Sequence, residues 1–91
     1  MKIYKQKIDT PGFFDLELPE GSKILSFQLQ EPCPTIWYKC DPNPSNPKEI
    51  RHFVLIGTGE DIPRNTKEYI GTIQLGKYGL VYHLFELNDG D

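Results

Sequence analysis

Gly57-Thr58-Gly59 is a place where residue type alone suggests a ligand. Backbone N–H groups freed from bulky side chains can form an anion-binding concavity, and the Thr58 hydroxyl adds a donor. Glu60 and Asp61 follow directly and would oppose a phosphate. The run lacks the spacing of a P-loop or a dinucleotide fingerprint, so a turn that needs positive φ competes with the ligand reading. A second set joins aromatic faces to cations: Trp37, Tyr38, Lys39, Arg51, Phe53 and Arg64. Base-stacking sites combine those two chemistries. In extended chain, Trp37 shares a face with Lys39, and Arg51 with Phe53, while Tyr38 points the other way. If residues 35–40 and 49–56 pair as a hairpin, these faces meet and form a nucleotide platform. The competing reading takes Trp37 and Phe53 as core.

Neither histidine brings catalytic company. A general base needs a nucleophile or an acid partner close by, and neither His52 nor His83 belongs to a nucleophile elbow or an H-E-x-x-H run. Cys33 stands between Pro32 and Pro34, with nothing electropositive beside it to make a reactive thiolate. Cys33 and Cys40 are spaced C-x6-C, and a metal site built from both cysteines and both histidines breaks the usual ligand spacings. Glu60-Asp61 reads as a solvated turn. No enzyme, no metal and no cofactor is expected.

Bulk composition narrows the scaffold. The 91 residues include 8 Gly and 8 Pro and no alanine, which excludes a helical bundle. The length allows one domain, 1–91. With 37% apolar residues the core must lean on five Phe, five Tyr and one Trp. The formal charge is −3, and the densest basic stretch, Lys2, Lys5 and Lys7, is followed at once by Asp9. Binding of long nucleic acid is therefore not expected, although a small anion needs only a few cations. No run approaches the ~18 apolar residues of a membrane span. Residues 1–7 lack the apolar core of a signal peptide. The expected setting is cytoplasmic, with both cysteines as thiols.

Period-two alternation supplies the elements. Residues 2–8 set Tyr4, Gln6 and Ile8 on one face, and Phe14, Leu16 and Leu18 alternate with Asp15 and Glu17. Leu25, Phe27 and Leu29 oppose Ser26, Gln28 and Gln30. Further strands are expected at 35–40, 49–56, 69–75 and 80–87, with Gly71 marking a bulge or a close backbone approach. Every proline falls between these strands on this reading. The proline-rich loop at 41–48 is expected to be exposed, either as a long hairpin connection or as a partner-contact element. Gly76-Lys77-Tyr78-Gly79 reads as a hairpin turn, and 88–91 as a frayed acidic tail. The expected fold is all-β: a small antiparallel sandwich or open barrel of about seven short strands. At most one short helical turn is allowed, near 63–68. Residues 80–87 are apolar on both faces, which places that strand centrally. Cover for both faces points to a homo-oligomer, with a C2 dimer the commonest form.

One set of motifs spans nearly the whole chain. It starts with Leu18-Pro19-x-Gly21-x-x-Ile24-Leu25-Ser26, Trp37 and Asp41-Pro42. It continues with Gly57-Thr58-Gly59-x-x-Ile62-Pro63, Tyr69-Ile70-Gly71-Thr72-x-Gln74 and Val81-Tyr82-His83-Leu84-Phe85-Glu86. Their order resembles a family of short proteins encoded mainly by bacteriophages and prophages, a domain of unknown function. The resemblance implies a phage origin and brings no chemistry with it. Small phage proteins often act against host defence, some as sponges that sequester nucleotide immune signals without cleaving them. The expected function is accordingly a non-enzymatic binding protein in the host cytoplasm for a small nucleotide-type signal. Trp37 or Tyr38 would stack beside Phe53, Arg51 or Arg64 would pair charge, and Gly57, Thr58 and Gly59 would donate from the backbone. The alternative is an interaction module that inhibits a host protein or assembles with phage proteins. It would use Pro42, Asn43, Pro44 and Asn46, or an edge strand.

Overall fold

Phe14, Leu16 and Leu18 turn inward from β2 (Gly12–Pro19), while Phe13, Asp15 and Glu17 face outward. The computed structural model describes residues 1–9, 11–30, 32–76 and 79–88. Alternation of this kind builds β1 (Lys2–Lys7), β3 (Lys23–Gln30), β4 (Cys33–Cys40), β5 (Lys48–Gly57), β6 (Thr66–Leu75) and β7 (Leu80–Leu87). They form two antiparallel sheets. Sheet A has the order β1-β4-β3, and sheet B the order β2-β5-β7-β6. Neither closes into a barrel, so the molecule is a small sandwich. Its smallest Cα extent, 17 Å, fits two layers packed about 10 Å apart.

Between the sheets lie Ile8, Phe27, Ile36, Phe53, Leu55, Ile73 and Leu84, all buried. Phe53 stacks on Phe14, with ring centres 5.4 Å apart and planes 13° from parallel. β5 also turns Val54 and Ile56 to the other face of sheet B, where they pack with Leu87 and Phe85 of β7. β7 thus lies inside its sheet with apolar residues on both faces, as its composition requires.

Several sequence expectations are corrected. Segments 35–40 and 49–56 do not pair. β4 already has β1 and β3 on its edges, and β5 has β2 and β7, so neither has an edge left for the other. The 41–48 loop is therefore no hairpin connection; it carries the chain from sheet A to sheet B. Pro34 lies within β4 and Pro19 closes β2. Pro34 is tolerated because its carbonyl points to the β1 side and accepts from Ile8 N–H at 2.9 Å. Its missing N–H faces the same side, beyond the last ladder pair Lys7↔Thr35. In β3 the register shifts between Ile24 and Ser26, which turns Leu25 outward and puts Ile24 against the core instead.

Gly71 fulfils both roles expected of it. A register shift lies between Tyr69 and Gly71, and a Cβ there would stand 3.4 Å from Phe27 Cβ and Phe27 O. β6 starts at Thr66, so residues 66–68 of the allowed helical turn are extended. Leu75 pairs with Leu80 across the 76–79 turn, whose Lys77 and Tyr78 lie outside the described residues. Of the tail expected to fray, Asn88 is held by a 2.7 Å bond from its N–H to Asn65 O, and 89–91 lie outside the described residues. Among the described residues no helix is long and apolar enough to cross a membrane.

Candidate functional site

Ile36 and Phe27 are paired across β4 and β3 and both enter the core. Strand alternation therefore sends Thr35, Trp37 and Lys39 to the opposite, outer face of sheet A. Their ladder partners stand beside them in rows: Lys7–Thr35–Gln28, Lys5–Trp37–Ser26 and Ile3–Lys39–Lys23. Lys5, Lys7, Lys23 and Lys39 thus surround Trp37. Among the described strand residues of this face there is no carboxylate, and none of the four lysines makes an ion pair with a described residue.

The surface is partly ordered by its own side chains. Lys5 Nζ donates to Gln30 Oε1 at 2.8 Å, reaching from β1 across β4 to β3. That bridge passes over Thr35, which is fully buried although it sits on the outer face. Trp37 and Lys39 remain half-exposed. Lys23 and Lys39 are direct cross-strand partners, an arrangement that like charges disfavour. An anion docked between them would relieve the repulsion.

The structure does not gather the other candidate ligand residues onto this face. Tyr38 faces inward beside Tyr4, with ring centres 6.3 Å apart. Burial, and secondarily Cys40 and Tyr4, raises its pKa. Arg51 and Phe53 belong to sheet B and point into the sandwich. Phe53 is fully buried. Arg51 makes a bidentate pair with Glu86, Nε to Oε2 at 2.7 Å and Nη2 to Oε1 at 2.8 Å, and Nη1 donates to Ser22 O. The hydrogen bond to Glu86 holds the guanidinium pKa above its usual value, against the opposing effect of burial. Arg51 is thus a structural cation. Arg64 is exposed at a turn, away from the rest.

The glycine loop meets its own chemical needs. Gly57 N–H donates to the Glu60 carboxylate at 3.2 Å, and Thr58 N–H to Val81 O at 3.3 Å. Glu60 thereby stands where a phosphate would. Gly59, at φ 95°, supplies the turn.

A family model described as Domain of unknown function (DUF7352) matches residues 1–91. The chain belongs to that family. No curated protein and no solved structure matches it.

A second polar cluster lies on the outer face of sheet B. His83 Nε2 lies 2.8 Å from the Thr58 hydroxyl and Nδ1 2.9 Å from the Thr72 hydroxyl, which also meets the Tyr69 hydroxyl. A hydroxyl on a ring nitrogen is how a nucleophile and base would stand. The far nitrogen, however, meets a neutral threonine where a catalytic triad has a carboxylate. The cluster rims a recess of about 220 Å³ that Ile56, Ile62 and Phe85 help to line. Cys33 and Cys40 are free thiols at opposite ends of β4, in the other sheet from His52 and His83, so the four do not converge as ligands.

In the 41–48 loop, side chains that could meet a partner are used internally. Asn43 Oδ1 accepts from Ser45 N–H and its hydroxyl, and Asn46 Nδ2 donates to Asp41 O at 3.3 Å. Glu20 N–H donates to Pro47 O at 2.8 Å, tying the loop to the β2–β3 turn. Pro42 and Pro44 remain exposed.

The lysines that complete the site, Lys5, Lys7 and Lys23, escape the sequence reading. The i, i+2 spacing of Lys5 and Lys7 already puts them on one face. What is missing is the pairing of β1 with β4, which no local pattern specifies.

Proposed function

We propose that this chain is a non-enzymatic binding protein for a small, phosphate-bearing nucleotide-type ligand, taken up on the outer face of sheet A. The observation that carries the reading is Trp37 flanked by Lys5, Lys7, Lys23 and Lys39 on a face without a described carboxylate. Trp37 stacks on the base, and the lysines pair with the phosphates. Lys5 and Lys7 lie about 7 Å apart along β1, given a strand rise of 3.3–3.4 Å. That spread suits a ligand with separated phosphates better than a single phosphate ion. Among the described residues the face offers no general base beside a nucleophile, so retention without turnover is the expected outcome. A phage origin would make such retention a means of withdrawing a nucleotide immune signal in the host cytoplasm.

Trp37 is the sole tryptophan, so its fluorescence reports the site directly. Titration with cyclic nucleotides and ADP-ribose derivatives, followed by fluorescence and calorimetry, should give saturable quenching that weakens as salt rises. Trp37→Ser should weaken calorimetric binding by about 5- to 150-fold, the loss of one stacked base. If none of these ligands binds, or if Trp37→Ser binds as the parent does, the reading fails. Tight binding of single-stranded oligonucleotides in preference to nucleotides would also overturn it.

A further inference from the structure

Phe13, Val54, Phe85 and Tyr69 form one continuous row across all four strands of sheet B, on the face turned away from the sandwich core. Their registers are direct: Phe13↔Val54, Val54↔Phe85 and Tyr69↔Phe85. The two outer members are exposed, Phe13 at 70% and Tyr69 at 54%. The inner pair forms an apolar floor with Ile56 and Leu87. Ile62, 58% exposed, joins the patch from the β5–β6 loop. Polar pairs flank the row on both sides. His52 Nδ1 meets Asp15 Oδ1 at 2.7 Å on one side, and the Thr58–His83–Thr72 cluster lies on the other. An apolar strip rimmed by polar groups is the signature of an interaction surface.

We infer that this face is the interface of a homodimer, with a second copy of the chain as its occupant. Area supports that choice. Covering Phe13, Tyr69 and Ile62, together with the exposed Ile50 that lies beyond the Asp15–His52 pair on the same face, would remove roughly 400 Å² of apolar surface per protomer, scaled from ordinary side-chain areas. A standard interface hides about 800 Å² per partner, a little over half of it apolar, so roughly 450 Å². These residues of the face therefore come close to the apolar part of an interface, and the polar pairs beside the row supply the remainder. Charge favours the same face. The opposite face of the molecule carries four lysines and repels a copy of itself, whereas the row contains no charged residue. Packing through sheet B leaves both lysine faces outward. The dimer is isologous, as C2 assemblies are, and independent of whether the lysine face binds a nucleotide.

The test is the mass of the full chain by light scattering and sedimentation equilibrium. Twice the 10.5 kDa protomer is expected. Phe13 is exposed in the protomer, so Phe13→Glu should fold with unchanged strand circular dichroism and yet run as a monomer. Tyr69→Lys, at the other end of the row, should do the same. A chain that stays monomeric up to roughly 100 μM, a Kd weaker than that value, overturns the inference. So does a dimer that both variants leave intact.

Discussion

Lys23 and Lys39 face each other directly across the β3–β4 ladder, two cations on the same side of the sheet. Neither forms an ion pair with a described residue. Such a pair costs stability in the free protein, a cost that an anion bound at the proposed site would offset.

Replacing Lys23 with a glutamate should separate the two consequences. A carboxylate set opposite Lys39 should stabilise the domain by about 0.2–1 kcal/mol, which raises Tm by roughly 1–8 °C for a chain of this size. Nucleotide affinity should fall at least about tenfold, a change of ~1.4 kcal/mol. Thermal melts and calorimetry on the same preparation check both. A variant that loses stability and keeps its affinity contradicts the role assigned to the pair.

Buried charge in sheet B calls for the opposite treatment. The Arg51 and Glu86 side chains are 14% and 5% exposed, and each satisfies the other. Glu86→Ala would strand the guanidinium and should cost about 3–5 kcal/mol, measured as a shift in the urea midpoint. Removing both charges together, as Arg51→Met with Glu86→Leu, should cost far less, because apolar replacements need no partner. The double variant should still bind at Trp37, since the pair lies in the other sheet. Equal losses in the single and double variants would show that packing, not charge, sets the penalty.

These two residues also show where the sequence is legible and where it is not. Each strand announces itself through alternation, and Pro and Gly mark most boundaries. Arg51 reads as a ligand cation in the sequence because its partner Glu86 lies 35 positions away, beyond any local pattern. Phe53 satisfies both the core reading and the platform reading until the core closes around it. The cationic and aromatic chemistry is visible in residue type. Its location is not, because β1 meets β4 only after the chain has crossed between the sheets twice. The bulge at Ile24/Ser26 is a similar case: the local period predicts Leu25 inward, and the packing of Ile24 prevails.

Tyr38 gives the fold a pH signature. Burial raises its pKa above the usual tyrosine value of about 10. Between the unfolded and folded pKa values the unfolded chain has lost the proton that the native chain keeps, so stability falls as pH rises. This contribution is complete below about pH 10 and is lost as pH climbs through the folded value. Tyr38→Phe removes the titrating group and should flatten the alkaline limb of a Tm-against-pH profile, leaving the neutral region nearly unchanged. An identical alkaline limb in the variant would assign the loss to other groups.

Gly71 tests the seam that joins the two layers. β6 of sheet B comes close to β3 of sheet A where a Cβ on Gly71 would stand 3.4 Å from Phe27 Cβ and from Phe27 O. Its φ is not positive, so a side chain meets no backbone penalty there. Gly71→Ala places one methyl at the edge of ordinary contact and should change stability little. Gly71→Val adds bulk against the Phe27 main chain, which has no rotamer to yield, and should cost about 1–3 kcal/mol as an overpacked core does. Urea melts of the two variants decide the matter. If alanine costs as much as valine, the bulge conformation rather than the space beside Phe27 is what requires glycine. If neither costs anything, the layers separate easily at this seam, and the close approach contributes nothing to holding the lysine face in place.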